Sequence, residues 1–230
     1  MVSLRTTQLE ASNRNLIHCL ARAAELRDDD TGRHVLRVGA YAGIIARALG
    51  WDESAAVLLD GAAQLHDVGK LGVPDAILRK PGKLTPEEFD LMQKHSGIGH
   101  GIFESMDDAD WRQAQRHAEL GGRMLGGLGY EVLETASRIA LTHHERWDGT
   151  GYPLGLAGTN IPIEGRITAV ADVFDALTTK RSYKPAFSLE KSFGILTEGR
   201  GTQFDPEVLD AFLSAGSRIV EAQLRYAEVT

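Results

Sequence analysis

The chain has 230 residues, 43% of them hydrophobic and 25% charged, with a formal net charge of −7. That composition fits one large soluble domain, or a domain with an extension. The acidic balance speaks against broad binding to DNA, RNA or a membrane surface, and a single cysteine, Cys19, excludes internal disulfides and a cysteine-rich zinc site. No apolar run approaches the roughly 18 residues of a membrane span. The polar N-terminus shows no signal-peptide core, and a reducing cytoplasm is the expected compartment.

In chain order, residues 1–27 read as one helix, Leu4 to Arg27, serving either as a signalling linker from an upstream domain or as the first helix of the core. Val35, Val38, Tyr41, Ala42 and Ile45 keep the 3- and 4-residue spacing of a buried helix face. Ser54 is placed to cap a helix through Leu65, with Gly69 to end it. Thr85, Pro86 and Glu88 form a capping box with proline at the first helical position, opening a helix that carries Phe89, Met92 and His95. Further helices are expected over Trp111 to Leu125, Tyr130 to His144, Ile167 to Leu177, Leu189 to Thr197, and Pro206 to Tyr226. Strand signals are nearly absent, so the expected fold is an all-α bundle of about eight or nine helices.

The residues with chemistry in them are histidines and acids. His66 and Asp67 close the apolar stretch AAQLHDVGK; adjacent helical residues point about 100° apart, so the two cannot serve one ligand direction. They can grip two neighbouring ions, with the carboxylate as bridge. Taken alone, the pair equally suits a helix-terminal histidine beside a capping acid. Asp30 and His34 stand four apart on one helix face. His143 and His144 repeat the adjacent pair, and Asp172 is an acid within the apolar stretch AVADVFDAL. Imidazole and carboxylate without thiolate suit a pair of first-row metals, Fe or Mn first and Zn or Ni next. Lys180, Arg181 and Lys184 form a cationic cluster in an acidic chain.

Five segments, RDDDTGRHVLRV, LHDVGKLGVPDAILRKPGKLTPEEF, HHERWDGTGYPLGLAG, IPIEGRITAVADVFDALTTKRSYKPA and GRGTQFDPEVLDAF, resemble the HD-GYP family of bacterial phosphodiesterases, in order from about Ala24 to Phe212. The resemblance implies a helical catalytic domain, here 28–230, hydrolysing cyclic di-GMP to pGpG and onward to GMP. It implies metal ligation by His34, His66, Asp67, His143, His144 and Asp172. Lys70 would contact the substrate phosphate, and the loop Gly151-Tyr152-Pro153 would border the cleft. Arg181 and Lys184 would hold the nucleotide. His143 and His144 would each serve a different ion from one helix end, with Glu145 and Asp148 fixing the loop behind them. Asp30 matches the place of a glutamate that accompanies a third metal in some members, so two or three divalent ions are expected.

Two histidines compete for one remaining ligand position. His95 and His117 both read H-x-x-x-G and lie 22 residues apart. A short antiparallel turn at Gly126 to Gly129 would bring His117 level with His143, which favours His117 with His95 as the alternate. His18 and His100 read as surface or core histidines. The expected reaction is in-line attack by a water that two ions about 3.5 to 4 Å apart activate, with Lys70 stabilising phosphoryl charge. The alternatives are a phosphodiesterase for another cyclic dinucleotide, such as mixed cyclic GMP–AMP, or a nucleotide-binding sensor without turnover. A metalloprotease lacks its HExxH here, and one cysteine cannot supply the PCxxC of a deaminase. Expected partners are a homodimer mate through the N-terminal helix and an upstream sensor, receiver or diguanylate-cyclase-type module.

Overall fold

The structure, a computed structural model, describes residues 15, 17–27, 32–104, 128–180 and 185–226. Ten α-helices and no strand occur among the described residues, so the all-α expectation holds. They are α1 (residues 17–25), α2 (His34–Ala48), α3 (Glu53–Ala63), α4 (Asp75–Leu78), α5 (Pro86–Glu104), α6 (Leu128–Thr142), α7 (Ile163–Thr178), α8 (Leu189–Glu198), α9 (Pro206–Ser214) and α10 (Gly216–Arg225). Short 3-10 segments lie at Val68–Gly72 and Gly158–Asn160. No described helix is long and apolar enough to cross a membrane.

Local chemistry explains several helix ends. At α5 the capping box closes both ways: the Glu88 amide donates to Thr85 Oγ1 at 3.3 Å, and the Thr85 amide donates to Glu88 Oε2 at 2.8 Å. At α3 the cap is Asp52 rather than Ser54; its Oδ1 accepts the Ala55 amide at 2.9 Å and the Ser54 hydroxyl at 2.6 Å. A carboxylate in the right place outcompetes the neighbouring hydroxyl. Gly69 does not end α3, which stops at Ala63 and passes through a turn into the 3-10 segment. The span Pro206 to Tyr226 is two helices, because the backbone at Ala215 (φ −92°, ψ 9°) leaves the helical region just before Gly216. That bend lets Phe212 and Ile219 both reach the core. The helix expected over Trp111 to Leu125 lies outside the described residues.

The core is built on α2, α3, α6, α7 and α9, with Tyr41, Ile45, Leu59, Ile139, Ile167, Phe174 and Phe212 fully buried. Phe174 meets Tyr41 and Phe212 edge-on, with ring centroids 5.3 and 5.1 Å apart. Each such side chain contributes about 1.5–3 kcal/mol by leaving water. From α1, Ala21 is buried in this same cluster and Ile17 packs against it. Helix α2 packs on α3 and α7, while α5 packs on α6 and the 3-10 segment at Val68–Gly72. These two packing units meet where the histidines lie.

Candidate metal centre

His34 is the first residue of α2; His66 and Asp67 occupy the turn after α3; His143 and His144 follow the last residue of α6; Asp172 lies within α7. The structure brings these six together. His34, His66 and Asp172 offer donor atoms within 4.8 Å of one another, as do Asp67, His95, His143 and His144. Asp67 stands between the sets. Its Oδ2 lies 3.3 Å from His66 Nε2, and its Oδ1 lies 3.3 Å from His95 Nε2 and 3.7 Å from His143 Nε2. Asp172 Oδ1 is 3.4 Å from His34 Nε2 and 3.9 Å from His66 Nε2.

The orientation of each imidazole has a visible cause. His66, His95 and His143 place Nδ1 2.8, 2.7 and 2.9 Å from the carbonyls of Ala63, Met92 and Ile139, one turn back along their own segments. A carbonyl can only accept, so Nδ1 carries the proton and Nε2 presents its lone pair to the centre. His34 Nδ1 instead meets Asp175 Oδ2 at 2.8 Å, and Arg37 donates to both oxygens of Asp175, at 2.6 and 2.9 Å. This carboxylate–histidine arrangement is the usual support of a metal-binding imidazole. Neither Asp175 nor Arg37 was singled out in the sequence, though each stands three residues from a singled-out ligand, Asp172 and His34.

His66 Nε2, Asp67 Oδ1 and His143 Nε2 are buried with no hydrogen-bond partner. Such atoms are costly unless something compensates them. A divalent cation between them supplies that compensation, so the residues present fit the metal expected from the sequence. The electrostatics agree. Burial pushes His143 and His144 down toward the neutral, metal-binding form. Burial opposes ionisation of Asp67, yet the Lys70 and His66 charges hold its carboxyl well below the usual range. Burial also opposes charge on His34, but the Asp175 hydrogen bond and the neighbouring carboxylates raise it to about 10. A proton or a metal ion can satisfy those same acids.

The donor atoms of His143 and His144 do not point into separate donor sets. Both belong to the Asp67–His95 set, with rings 4.0 Å apart, because α6 stops at Thr142 and a turn lets adjacent side chains converge. His95, the alternate, stands in this set, 3.2 Å from His144 Nε2. Its position follows from Gly69. A Cβ there would come 1.9 Å from the His95 carbonyl oxygen and 2.4 Å from the Gly99 amide, so only glycine lets the turn after His66–Asp67 seat against α5. Gly99 is the glycine of the H-x-x-x-G pattern. His117, together with Asp30, Arg181 and Lys184, lies outside the described residues. His100 pairs with the Ser137 hydroxyl at 2.7 Å, away from the donor sets.

Lys70 Nζ lies 2.8 Å from Asp67 Oδ2, at the edge of the centre. Tyr152 stacks on His144 with centroids 4.7 Å apart, and Phe89 of α5 meets Tyr152 edge-on at 6.1 Å. The loop carrying Tyr152 is held from beneath by Glu145, whose buried carboxylate accepts the Leu154 and Leu156 amides at 2.7 and 3.0 Å. Asp148 Oδ1 accepts the Thr150 amide at 3.0 Å. A Cβ on Gly151 would come 2.3 Å from the Arg146 amide nitrogen, which fixes glycine at that corner.

The chain matches the model of the HD domain in two consecutive segments, residues 18–108 and 104–208. The break falls between His95 and His117, where the sequence repeats H-x-x-x-G. A cyclic di-GMP phosphodiesterase of Vibrio cholerae is 45% identical over 95% of this chain and 43% of its own length. A 3′3′-cGAMP-specific phosphodiesterase of the same organism is 42% identical over 93% of this chain and 36% of its own. The chain thus spans less than half the length of these curated relatives. A crystal structure of a cyclic GMP–AMP specific phosphodiesterase from V. cholerae superposes with a TM-score of 0.59 over 93% of this chain and 52% of its own, at 16% identity, a likeness of fold. With the domain match covering most of its length and the Gly151-Tyr152-Pro153 loop beside the histidines, the chain belongs to the HD domain family, in its HD-GYP branch.

Proposed function

We propose that the chain is a metal-dependent phosphodiesterase that hydrolyses cyclic di-GMP to linear pGpG, with GMP as the further product. The observation that carries this is Asp67, one carboxylate whose two oxygens face two different sets of buried nitrogen donors. That is how a bridging ligand of an ion pair is built. The names of the curated relatives point to the cyclic dinucleotide.

Two divalent ions bound there, Fe or Mn first and Zn or Ni next, would supply Lewis-acid charge to the phosphoryl group and activate water near neutral pH. The chain's own groups do the rest. His34, His66, Asp172 and Asp67 would hold one ion; Asp67, His95, His143 and His144 would hold the other. Lys70, tethered by Asp67, faces the non-bridging phosphoryl oxygens and offsets the charge that grows on them. The Tyr152 and Phe89 rings line the mouth, and Arg181 and Lys184 hold the remaining phosphate, so that binding becomes orientation. Water adds to phosphorus as the P–O3′ bond breaks, and its proton ends on the departing 3′-oxygen.

The test is turnover of cyclic di-GMP by protein loaded anaerobically with ferrous iron or manganese, with products separated chromatographically. Chelated protein and a His66→Ala/Asp67→Ala double variant are the controls. Metal-dependent pGpG that disappears in both supports the reading. Full metal occupancy without turnover overturns the substrate and moves the assay to mixed cyclic GMP–AMP, the substrate class in the name of the 42% identical relative.

A further inference from the structure

One buried acid beside the centre has no part in the chemistry above. Glu25 is the last residue of α1 and is 2% exposed. Its carboxylate forms a third donor set with His34 and Asp67, all atoms within 4.8 Å of one another. Two ligands of one ion with bonds near 2.1–2.2 Å stand at most about 4.4 Å apart, so small side-chain adjustments bring all three onto a common ion.

This set cannot be an independent centre. His34 Nδ1 is committed to Asp175, leaving Nε2 alone to ligate, and one imidazole nitrogen serves one ion. Since His34 Nε2 also belongs with His66 and Asp172, Glu25 stands on the flank of that same ion. A carboxylate removed from water needs a cation beside it. The segment carrying it is fixed accordingly. Two residues on, Arg27 Nη1 donates to the Lys70 carbonyl at 3.3 Å and to the Leu71 carbonyl, and Nη2 donates to the Val73 carbonyl at 3.1 Å and to Asp75 Oδ1 at 2.6 Å. The end of α1 is thereby tied to the segment that follows Asp67 and Lys70, while Ala21 and Ile17 anchor its other side in the core.

We propose that Glu25 is a carboxylate ligand of the ion that His34, His66 and Asp172 would hold, delivered by the N-terminal helix, so that filling that ion's site depends on how α1 is seated. The inference rests on the metal reading above but not on the substrate. It is tested by titrating the full chain, metal-free, with manganese and following bound metal per chain, chelator competition and the electron paramagnetic resonance spectrum. The wild type is expected to bind two spin-coupled ions. Glu25→Gln should weaken one of them by at least about 10-fold and leave the uncoupled six-line signal of a single manganese at intermediate loading. Glu25→Asp keeps the charge with a shorter reach; it is expected to fall between, and it decides the matter if Glu25→Gln fails to fold. Two coupled ions at wild-type affinity in the folded glutamine variant would overturn the proposal alone. A wild type that takes up no manganese overturns the metal reading and this one with it.

Discussion

The two flanks of the centre are held in place by different means. On one, His66 leans on the Ala63 carbonyl, but His34 is oriented by Asp175, 141 residues away in the chain, and Asp175 is oriented by Arg37. On the other, His95 and His143 lean on carbonyls three and four residues back along their own segments. The first flank is a relay of charges between α2 and α7 and can be cut by changing one side chain. The second sets its rotamers locally, so it is disturbed only by moving a helix. Asp67 belongs to both.

Removing the shared member gives the largest effect. Asp67→Ala should abolish binding of both ions and lower phosphodiester turnover by roughly 10³-fold or more, the several kcal/mol that ion charge contributes; metal analysis and kinetics on one preparation check it. Retention of either ion at wild-type affinity would show that the flanks do not share a ligand.

Cutting the relay should separate them. Asp175→Asn is expected to weaken one ion by about 10- to 100-fold while leaving the other, and to destabilise the metal-free protein by about 3 kcal/mol, because Arg37 stays buried without its partner. Burial opposes ionisation of Asp175, but the hydrogen bonds from His34 and Arg37 hold it down to about 2. A depressed carboxyl contributes stability that is fully present above its unfolded pKa, near 3.8, and is lost as pH falls through about 2. Asp175 also helps raise His34 to about 10, a contribution complete only below the unfolded histidine value near 6.5. The wild type's advantage over Asp175→Asn in denaturant unfolding should therefore rise slightly from pH 7 to 5 and shrink below about 4. A difference that failed to shrink below about pH 4 would contradict the relay.

Moving the helix attacks the other flank. Gly69→Ala sets a methyl against the His95 carbonyl, so α5 must shift; the expected cost is about 2 kcal/mol of stability and preferential loss of the ion beside His95. The smallest effect is expected from Glu145→Gln, which loosens the Tyr152 loop without touching either donor set. Both ions should bind as in the wild type while kcat/KM for the cyclic dinucleotide falls about 10-fold, the worth of a charge-assisted hydrogen bond.

Much of the centre is legible in the sequence because polar residues at buried helical positions are rare. His66, Asp67, His143, His144 and Asp172 each interrupt an apolar stretch, and all five converge. Asp175 interrupts the same stretch as Asp172 and carried the same signal, but its partner Arg37 becomes meaningful only when α2 lies beside α7. Glu25 stays hidden in a segment 1–27 that reads equally as a connecting helix or as the first helix of the core; the buried Ala21 and Ala24 place its end in the body of the fold. The preference for His117 over His95 rested on the length of a turn. The contact that seats His95, Gly69 against Gly99, joins two glycines 30 residues apart whose pairing no spacing rule reveals. The divergence expected of His143 and His144 belongs to a helix running through His144, whereas α6 stops two residues earlier, at Thr142.

The loop around Tyr152 has a dependence of another kind. The Trp147 amide donates to the Gln203 carbonyl at 3.2 Å and the Asp148 amide to the Thr202 carbonyl at 2.8 Å, while the Gly158 amide returns to the Trp147 carbonyl at 2.9 Å. The segment is laced to the turn between α8 and α9, so it is not a portable module. Grafting residues 145–158 onto another helical scaffold would strand the Trp147 and Asp148 amides, and a transplant that keeps the tyrosine over its histidine has to carry residues 199–205 along.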